Sequence, residues 1–433
     1  MALFGKKNNK KRTSEPPIKF YPKNELPEFD EAMRELYIQT RLFVKTALDS
    51  RADVLHLALT AGGMAVQYVI DGISHPAPGM ERDSGATVMA MLKAVAGLDL
   101  NNRTPLQKGD FEIHYRQKKY GADLVCQLSK NGEQVVLKFD DGTPPPANLE
   151  EAGMRPEMIT QFKGFLDQVG FVLVSGPPKS GFTTTFNTTL RAVDRYVRNV
   201  VSVDDKADNE IEVENAPITA YDSKAGETPM TVLPKLLRTY PDVICIRKLA
   251  DGDTVSLMCD QPDEERLVVG GIQANDAVEA LLRIIKVGAP REKFAQTINA
   301  SLNVRVVRLL CDHCKQAYAP PPQLLQKLGL PPKKRIAFYR PGPPPVPPNI
   351  KPEDAPTTCP VCNGIGYKRR SAIFELLSIN DALRTALTKT NNLNQLREIA
   401  KKSGHHSLIE EGIVAAAKGM TSIQEVFRVL KGS

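Results

Sequence analysis

The sequence predicts an α/β fold built on a buried parallel sheet, and three observations carry that prediction. The runs FVLVSG, NVVSVDD, DVICI and RLVVGGI are short, β-branched and almost continuously apolar, with helical segments between them. Strands covered by helices on both faces read this way. The first run leads directly into SGPPKSGFTTTFN, Ser175 to Asn187, where Gly176, Gly181 and Thr183 keep the frame of a phosphate-binding loop. Downstream, two C-x-x-C pairs flank a Pro-rich stretch and offer a metal site outside the sheet.

Composition sets the scale. A chain of 433 residues, 42% hydrophobic and 25% charged, holds two or three domains with cores of their own. No run approaches the ~18 apolar residues of a membrane helix, and Met-Ala-Leu-Phe-Gly leads into lysines instead of a signal-peptide core. A cytoplasmic location is the expectation. Of the net charge of +7, five charges come from Lys6, Lys7, Lys10, Lys11 and Arg12. Residues 1–29 therefore read as a basic, disordered tail, with weak contact to anionic lipid or nucleic acid as the alternative to simple solvation.

Residues 30–146 read as an N-terminal α+β domain. Asp30 is placed to cap a helix whose stripe is Met33, Leu36, Tyr37, Phe43, Val44, Ala47 and Leu48. VLHLAL and MAVQYVIDGI alternate like half-buried strands, GATVMAMLKAVAGL has helical spacing, and FEIHYRQKKYGADLVCQL and QVVLKF continue the strands with Asn131-Gly132 as a hairpin turn. The Pro/Gly-rich DDGTPPPAN marks the boundary. Residues 147–307 then form the phosphate-loop domain and 308–372 a zinc-binding subdomain, its Pro-rich loop expected to have little structure beyond polyproline II. Residues 373–433 are expected to be a helical C-terminal region.

The loop poses the functional question. A loop between the first strand and first helix of such a sheet holds phosphate because backbone N–H groups and a helix N-terminus converge there. The candidate nucleotide-binding residues are Gly176, Lys179, Ser180, Gly181, Thr183 and Thr184. Where the G-x-x-x-x-G-K-[ST] frame puts its lysine, this chain has Phe182. Phenylalanine supplies neither charge nor donor to the β- and γ-phosphates; Lys179, three residues earlier, is the nearest replacement in the loop.

The 7 cysteines are an odd number in a large chain without a secretion signal, which argues for thiols or a metal over a disulfide framework. Cys311, Cys314, Cys359 and Cys362 form two knuckles whose thiolates would complete a tetrahedral, structural zinc site with no open position for chemistry. Cys126, Cys245 and Cys259 read as small core residues.

The stretches RADVLHL, VIDGISH, NGEQVVLKF, GFVLVSGPPKSGFTTTFNTTL, LLRTYPDVICIRKLADGDT, NDAVEALLRIIKVG, LCDHCKQAY and CPVCNGIGYKRRSAIFELLSI, in that order, resemble the type II secretion and type IV pilus assembly ATPases from about residue 36 to the end. The resemblance implies a RecA-like domain behind an N-terminal domain, assembled as a hexamer whose nucleotide-driven motion builds or retracts a pilus or pseudopilus. Several positions depart from it. The loop lysine is Phe182. The Walker B ending, a glycine and then the glutamate that orients the attacking water, reads Arg247-Lys248. Asp204 takes a glutamate's place in the acidic box, and Arg266 and Gln273 stand for histidines. Two arginines of the N-terminal domain that reach the phosphates correspond to Val125 and Lys138.

Arg247, Lys248 and Arg266 are thus expected to bring positive charge to the site, so an anion is still attracted while hydrolysis loses its machinery. ATP and magnesium become doubtful cofactors. The expectation is a non-catalytic scaffold or regulator, forming a homo-hexamer or a mixed assembly with an intact paralogue, peripheral to an inner-membrane platform; nucleic acid is not expected as a partner. A slow ATPase using Lys179 and a non-hydrolysing nucleotide sensor are the alternatives.

Overall fold

Alternation in the N-terminal third and continuous apolar runs in the remainder fold into two different sheets. The computed structural model describes residues 17–26, 28–100, 106–129, 132–208, 210–331, 335–345 and 357–431. The five charges of the basic tail lie outside the described residues, as do Asn131 of the hairpin turn and part of the Pro-rich loop. The chain divides into two compact units, Met1–Pro144 and Pro145–Ser433.

In the first unit, strands β1 (Ile18–Pro22), β2 (Val54–Thr60), β3 (Gly63–Ile70), β4 (Ile73–Met80), β5 (Leu106–Tyr115), β6 (Lys118–Ser129) and β7 (Gly132–Asp140) form one antiparallel sheet in the order β1-β5-β6-β7-β2-β3-β4. Helices α1 (Glu31–Asp49) and α2 (Arg82–Val95) contact each other and the sheet. Asp30 caps α1 as expected, its side chain accepting from the Met33 N–H. Leu124, Val135 and Leu137 face the core while Asp123 and Lys138, directly opposed across β6 and β7, face outward, the period of two that a one-sided sheet demands. Two strands were hidden in the sequence. β1 lies inside the segment expected to be a disordered tail; Ile18 and Phe20 are buried, and pairing with β5 holds it. β4 carries Pro76 and Pro78, which cannot donate to a ladder and are tolerated because β4 is an edge strand.

The second unit contains the parallel sheet. Strands β8 (Gly170–Ser175), β9 (Val200–Asp205), β10 (Ile218–Tyr221), β11 (Val243–Ile246), β12 (Leu267–Ile272), β13 (Ile298–Leu310) and, beyond a small hairpin, β16 (Tyr367–Ser378) lie in the order β10-β9-β11-β12-β8-β13-β16. All neighbours are parallel except β13 with β16. Every residue of β8, β9 and β12 is buried, which explains why these runs lack alternation. Helices α3 (Pro156–Leu166) and α4 (Phe182–Ala192) contribute Phe162, Phe186 and Leu190 to the core on one face. The other face is closed by Val255, Leu281 and Phe294 from α6 (Gly252–Asp260), α7 (Ala277–Val287) and α8 (Arg291–Thr297), and the short α5 (Leu233–Leu237) adds Leu233.

The expected boundaries at 307/308 and 372/373 cut through β13 and β16, which pair with each other along most of their lengths. AIFELLS, expected to be helical, is the end of a buried strand: an apolar run that short does not declare its period, and its partner lies about 70 residues earlier. The Pro-rich loop also has more structure than expected, holding α9 (Pro322–Lys327) and β15 (Phe338–Pro341), the latter paired with β14 (Lys315–Tyr318). Helices α10 (Asp381–Lys389), α11 (Leu393–Lys402), α12 (Leu408–Ala417) and α13 (Ile423–Lys431) complete the unit; α12 starts in a capping box of Ser407 and Glu410.

Candidate functional site

The loop that joins β8 to α4 leaves the carboxyl end of the sheet. It turns through Lys179 at φ 64° and Gly181 at φ 87°, the second immediately before α4. A Cβ at Gly181 would sit 2.8 Å from Val306 Cγ2, so both its backbone angle and its contact with β13 call for glycine. Ser180 is buried, its N–H donates to the Pro177 carbonyl at 3.2 Å, and its hydroxyl has no hydrogen-bond partner among the described residues. Lys179 is exposed on the turn. Thr183 donates its hydroxyl to Glu210 at 3.2 Å, and Thr184 follows it, half-buried, in the first turn of α4.

Phe182 turns inward. Its ring lies 5.8 Å from that of Phe186 and packs against the core on this face of the sheet. A Cβ on Gly271, in β12, would come within 2.7 Å of its Cζ and 2.0 Å of the Arg247 carbonyl oxygen, so the bare backbone of Gly271 makes the room.

The neighbouring strand ends supply the charges. Asp204 and Asp205 end β9 and are both buried. Asp205 accepts from the N–H groups of Ala207 at 3.0 Å and Ser223 at 3.3 Å. Hydrogen bonding to Ser223, then to Ala207, holds its carboxyl below the usual range, and the Lys248 charge adds to that. Arg247, directly after β11, is 5% exposed. Its guanidinium pairs with Asp204, donates to Asn187 Oδ1 at 2.9 Å and stacks over Phe186 with 4.7 Å to the ring centroid. Lys248 points to solvent.

Arg266 is not part of this constellation. Leu267 pairs with Gly170 and Ile272 with Ser175, so Arg266 lies at the amino end of the strands, roughly 20 Å along the sheet from the loop by the rise of six residues. There it donates to Gln261 Oε1 at 2.6 Å. The expectation that it adds charge to the site is therefore corrected: register puts it at the wrong end. Gln273, one residue beyond β12, is at the loop end and exposed. Val125 and Lys138 lie on the outward face of the first unit's sheet. Sequence reading missed Glu210, Asn187 and Gly271. The signal for Glu210 was available: an arginine closing a buried strand needs a carboxylate, and NEIEVE follows the acidic box.

The four knuckle cysteines converge. All are buried, and their sulfurs lie within 4.8 Å of one another, with Cys311–Cys359 at 4.0 Å and Cys314–Cys362 at 3.7 Å. A zinc ion with Zn–S bonds of ~2.3 Å separates its sulfurs by about 3.8 Å, so the two closer pairs match such an ion and the cluster as a whole needs at most a contraction of under about 1 Å. Tight turns set the chelation: the Cys314 and Lys315 N–H groups return to the Cys311 carbonyl, and the Gly366 N–H donates to Cys362 Sγ at 3.2 Å. Burial pushes the Cys314 thiol up; at Cys359 burial is outweighed by the Cys362 and Val361 N–H groups, with His313 adding, and the thiol falls to about 6. His313 Nδ1 stands 3.4 Å from Cys359 Sγ, beside the cluster and not within it. Cys126, Cys245 and Cys259 are buried core residues, their thiols pushed up to about 11, 12 and 12 by burial.

Sequence comparison decides the family: the one described as "Type II/IV secretion system protein" matches residues 30–428. The chain belongs to that family. This secretion-family chain is 28% identical over 388 residues to a "Protein transport protein HofB homolog" of Escherichia coli, covering 89% of this chain and 80% of that protein. It is 26% identical to the "Type IV pilus assembly ATPase PilB" of Thermus thermophilus, over 92% of its own length and 43% of the relative's. It is also 27% identical to the "Type II secretion system protein E" of Xanthomonas campestris pv. campestris, over 92% and 69%. The chain thus spans less than half of the Thermus relative. The ATPases titled DotB from Legionella pneumophila and Yersinia pseudotuberculosis share its fold, at TM-scores of 0.53 and 0.56 and 13% identity, covering 95% and 96% of this chain and 98% of each of theirs. No helix among the described residues is long and apolar enough to cross a membrane.

Proposed function

We propose that this secretion-family chain is a catalytically degenerate homologue of the motor ATPases, acting as a scaffold or regulatory subunit of a secretion or pilus machine. The inward-packed ring of Phe182 carries the reading. It removes the loop's fixed cation from the phosphates and fills part of the space with hydrocarbon. Lys248 at the Walker B glutamate position compounds the loss. Removing one positioning or acid/base group costs ~10²–10⁴ in rate, and charge stabilisation of the transferring phosphoryl group goes with the lysine. The zinc knuckles, the sheet and the helical closing layer are retained, which is what an assembly role needs. Zinc held by Cys311, Cys314, Cys359 and Cys362 would tie the β14–β15 hairpin and the start of β16 to the end of β13.

The proposed partners are further copies of this chain in a hexamer, or an intact paralogue in a mixed ring, at an inner-membrane platform. Mixing the zinc-loaded chain with an intact paralogue tests this: a joint species in sedimentation and an altered ATPase rate of the paralogue are expected. Two independent, non-interacting species across the micromolar range would overturn it. A slow ATPase using Lys179 is the second reading, favoured by the exposure of that side chain on an otherwise kept loop. It requires turnover that Lys179→Ala abolishes.

A further inference from the structure

In phosphate-loop enzymes the magnesium ion sits between the loop's Ser/Thr hydroxyl and an acid at a neighbouring strand end. In this chain those two groups are joined by protein atoms. Thr183 donates to Glu210 Oε1 at 3.2 Å; Glu210 Oε2 stands 3.8 Å from Arg247 Nη1; Arg247 Nε and Nη2 stand 3.3 and 3.4 Å from the two oxygens of Asp204. The Arg247 side chain is 5% exposed, Asp204's 2% and Glu210's 12%, so the Arg247–Asp204 pair is shielded from water, whereas the Thr183–Glu210 hydrogen bond lies at the exposed end of the chain of contacts. Asn187 and the face of Phe186, both on α4, hold the guanidinium from the other side.

The geometry points to Arg247 as a built-in cation that takes the place of the divalent ion, closing the site without nucleotide or metal. The inference rests on the non-catalytic reading above. It goes further by naming what neutralises the site and by separating two roles: Phe182 fills space beside β12, and Arg247 supplies charge. The chemistry is self-consistent. A buried carboxylate, Asp204, and a half-buried one, Glu210, face a planar, permanent guanidinium that donates hydrogen bonds from Nη2 and meets them with Nε and Nη1 by charge alone, and once it is in place a divalent ion meets like charge. Truncating Arg247 leaves Asp204 and Glu210 without the cation between them, Glu210 still bonded to the Thr183 hydroxyl, and carboxylate and hydroxyl oxygens are the ligands hard divalent ions take.

Nucleotide-free thermal unfolding of the full chain, with and without millimolar Mn²⁺, tests this. The melting temperature of the wild type is expected to be unmoved by Mn²⁺. Arg247→Gly is expected to melt roughly 5–10 °C lower and to recover several degrees with Mn²⁺. In Arg247→Gly with Asp204→Asn, the loss without metal is expected to shrink and the Mn²⁺ response to disappear. The inference is overturned if Arg247→Gly responds no more than wild type, if the double variant responds as strongly as the single one, or if wild type binds Mn²⁺ stoichiometrically and Asp204→Asn abolishes that binding. The last result needs only folded wild type and a conservative change, so it stands if the glycine variants do not fold. Because no nucleotide is present, ATP turnover by wild type would contradict the non-catalytic reading without entering this measurement.

Discussion

Glu425→Gln is the sharpest probe of how the cysteine knuckles are held. The Glu425 side chain is fully buried in α13, between Arg308 of β13, which donates from Nη2 at 2.8 Å, and Arg428, which donates from Nη2 at 2.6 Å. Arg308 also stacks over Tyr367, 4.1 Å from the ring centroid, at the start of β16. One carboxylate therefore ties the last helix to the two strand ends that carry the knuckles. Burial alone would raise its pKa, but hydrogen bonds from Arg428 and Arg308 outweigh burial and bring it from 4.5 to about 2. At about 1.4 kcal/mol per tenfold change in proton affinity, that drop amounts to roughly 3 kcal/mol. The folded value lies below the unfolded one. The contribution is thus fully present above about pH 5, about half remains at pH 3, and it is lost near pH 2. Urea unfolding of Glu425→Gln against wild type should give a difference of about 3 kcal/mol at pH 7 that shrinks as pH falls to 3; other acid-labile features are common to both proteins and cancel. A difference below about 1 kcal/mol at pH 7, or one that holds constant down to pH 3, would refute the reasoning.

Three further outcomes are expected. Purified chain should carry about one zinc by elemental analysis; Cys362→Ser should lose it and lower the melting temperature, and a full zinc complement in that variant would contradict four-sulfur coordination. Phe182→Ala should cost roughly 1.5–3 kcal/mol in urea unfolding because the ring packs against Phe186 and Gly271, whereas a solvent-facing ring would cost less than about 0.5 kcal/mol. Gly271→Ala should destabilise by about 1–3 kcal/mol through overpacking onto the Arg247 carbonyl and the Phe182 ring, and Phe182→Ala should relieve only the part that comes from the ring.

What could be read from the sequence follows from how local each signal is. The β8–loop–α4 unit, the buried strands β9, β11 and β12, and the Asp30 cap are written in contiguous residues, so motif and period sufficed. The tetracysteine cluster was legible because chelating turns are local and four buried sulfurs have few other uses. The strand IKFYP and the β13–β16 ladder were not, because each depends on a partner far along the chain. The same holds at the site. Phe182 announced itself as a departure from a motif, but its inward rotamer depends on Gly271, far along the chain in β12. Arg247 read as stray positive charge until its pairing with Asp204 and Glu210 gave it a place, and Arg266 read as part of the site until register moved it to the opposite end of the sheet.

On the proposed function the fold has kept its loop and lost its chemistry. Steady-state hydrolysis of Mg·ATP by the zinc-loaded wild-type chain, alone and at concentrations that permit self-assembly, tests it most directly. Phosphate release indistinguishable from a protein-free blank is expected. Turnover that scales with protein concentration and survives removal of contaminating ATPase by a second purification would contradict it.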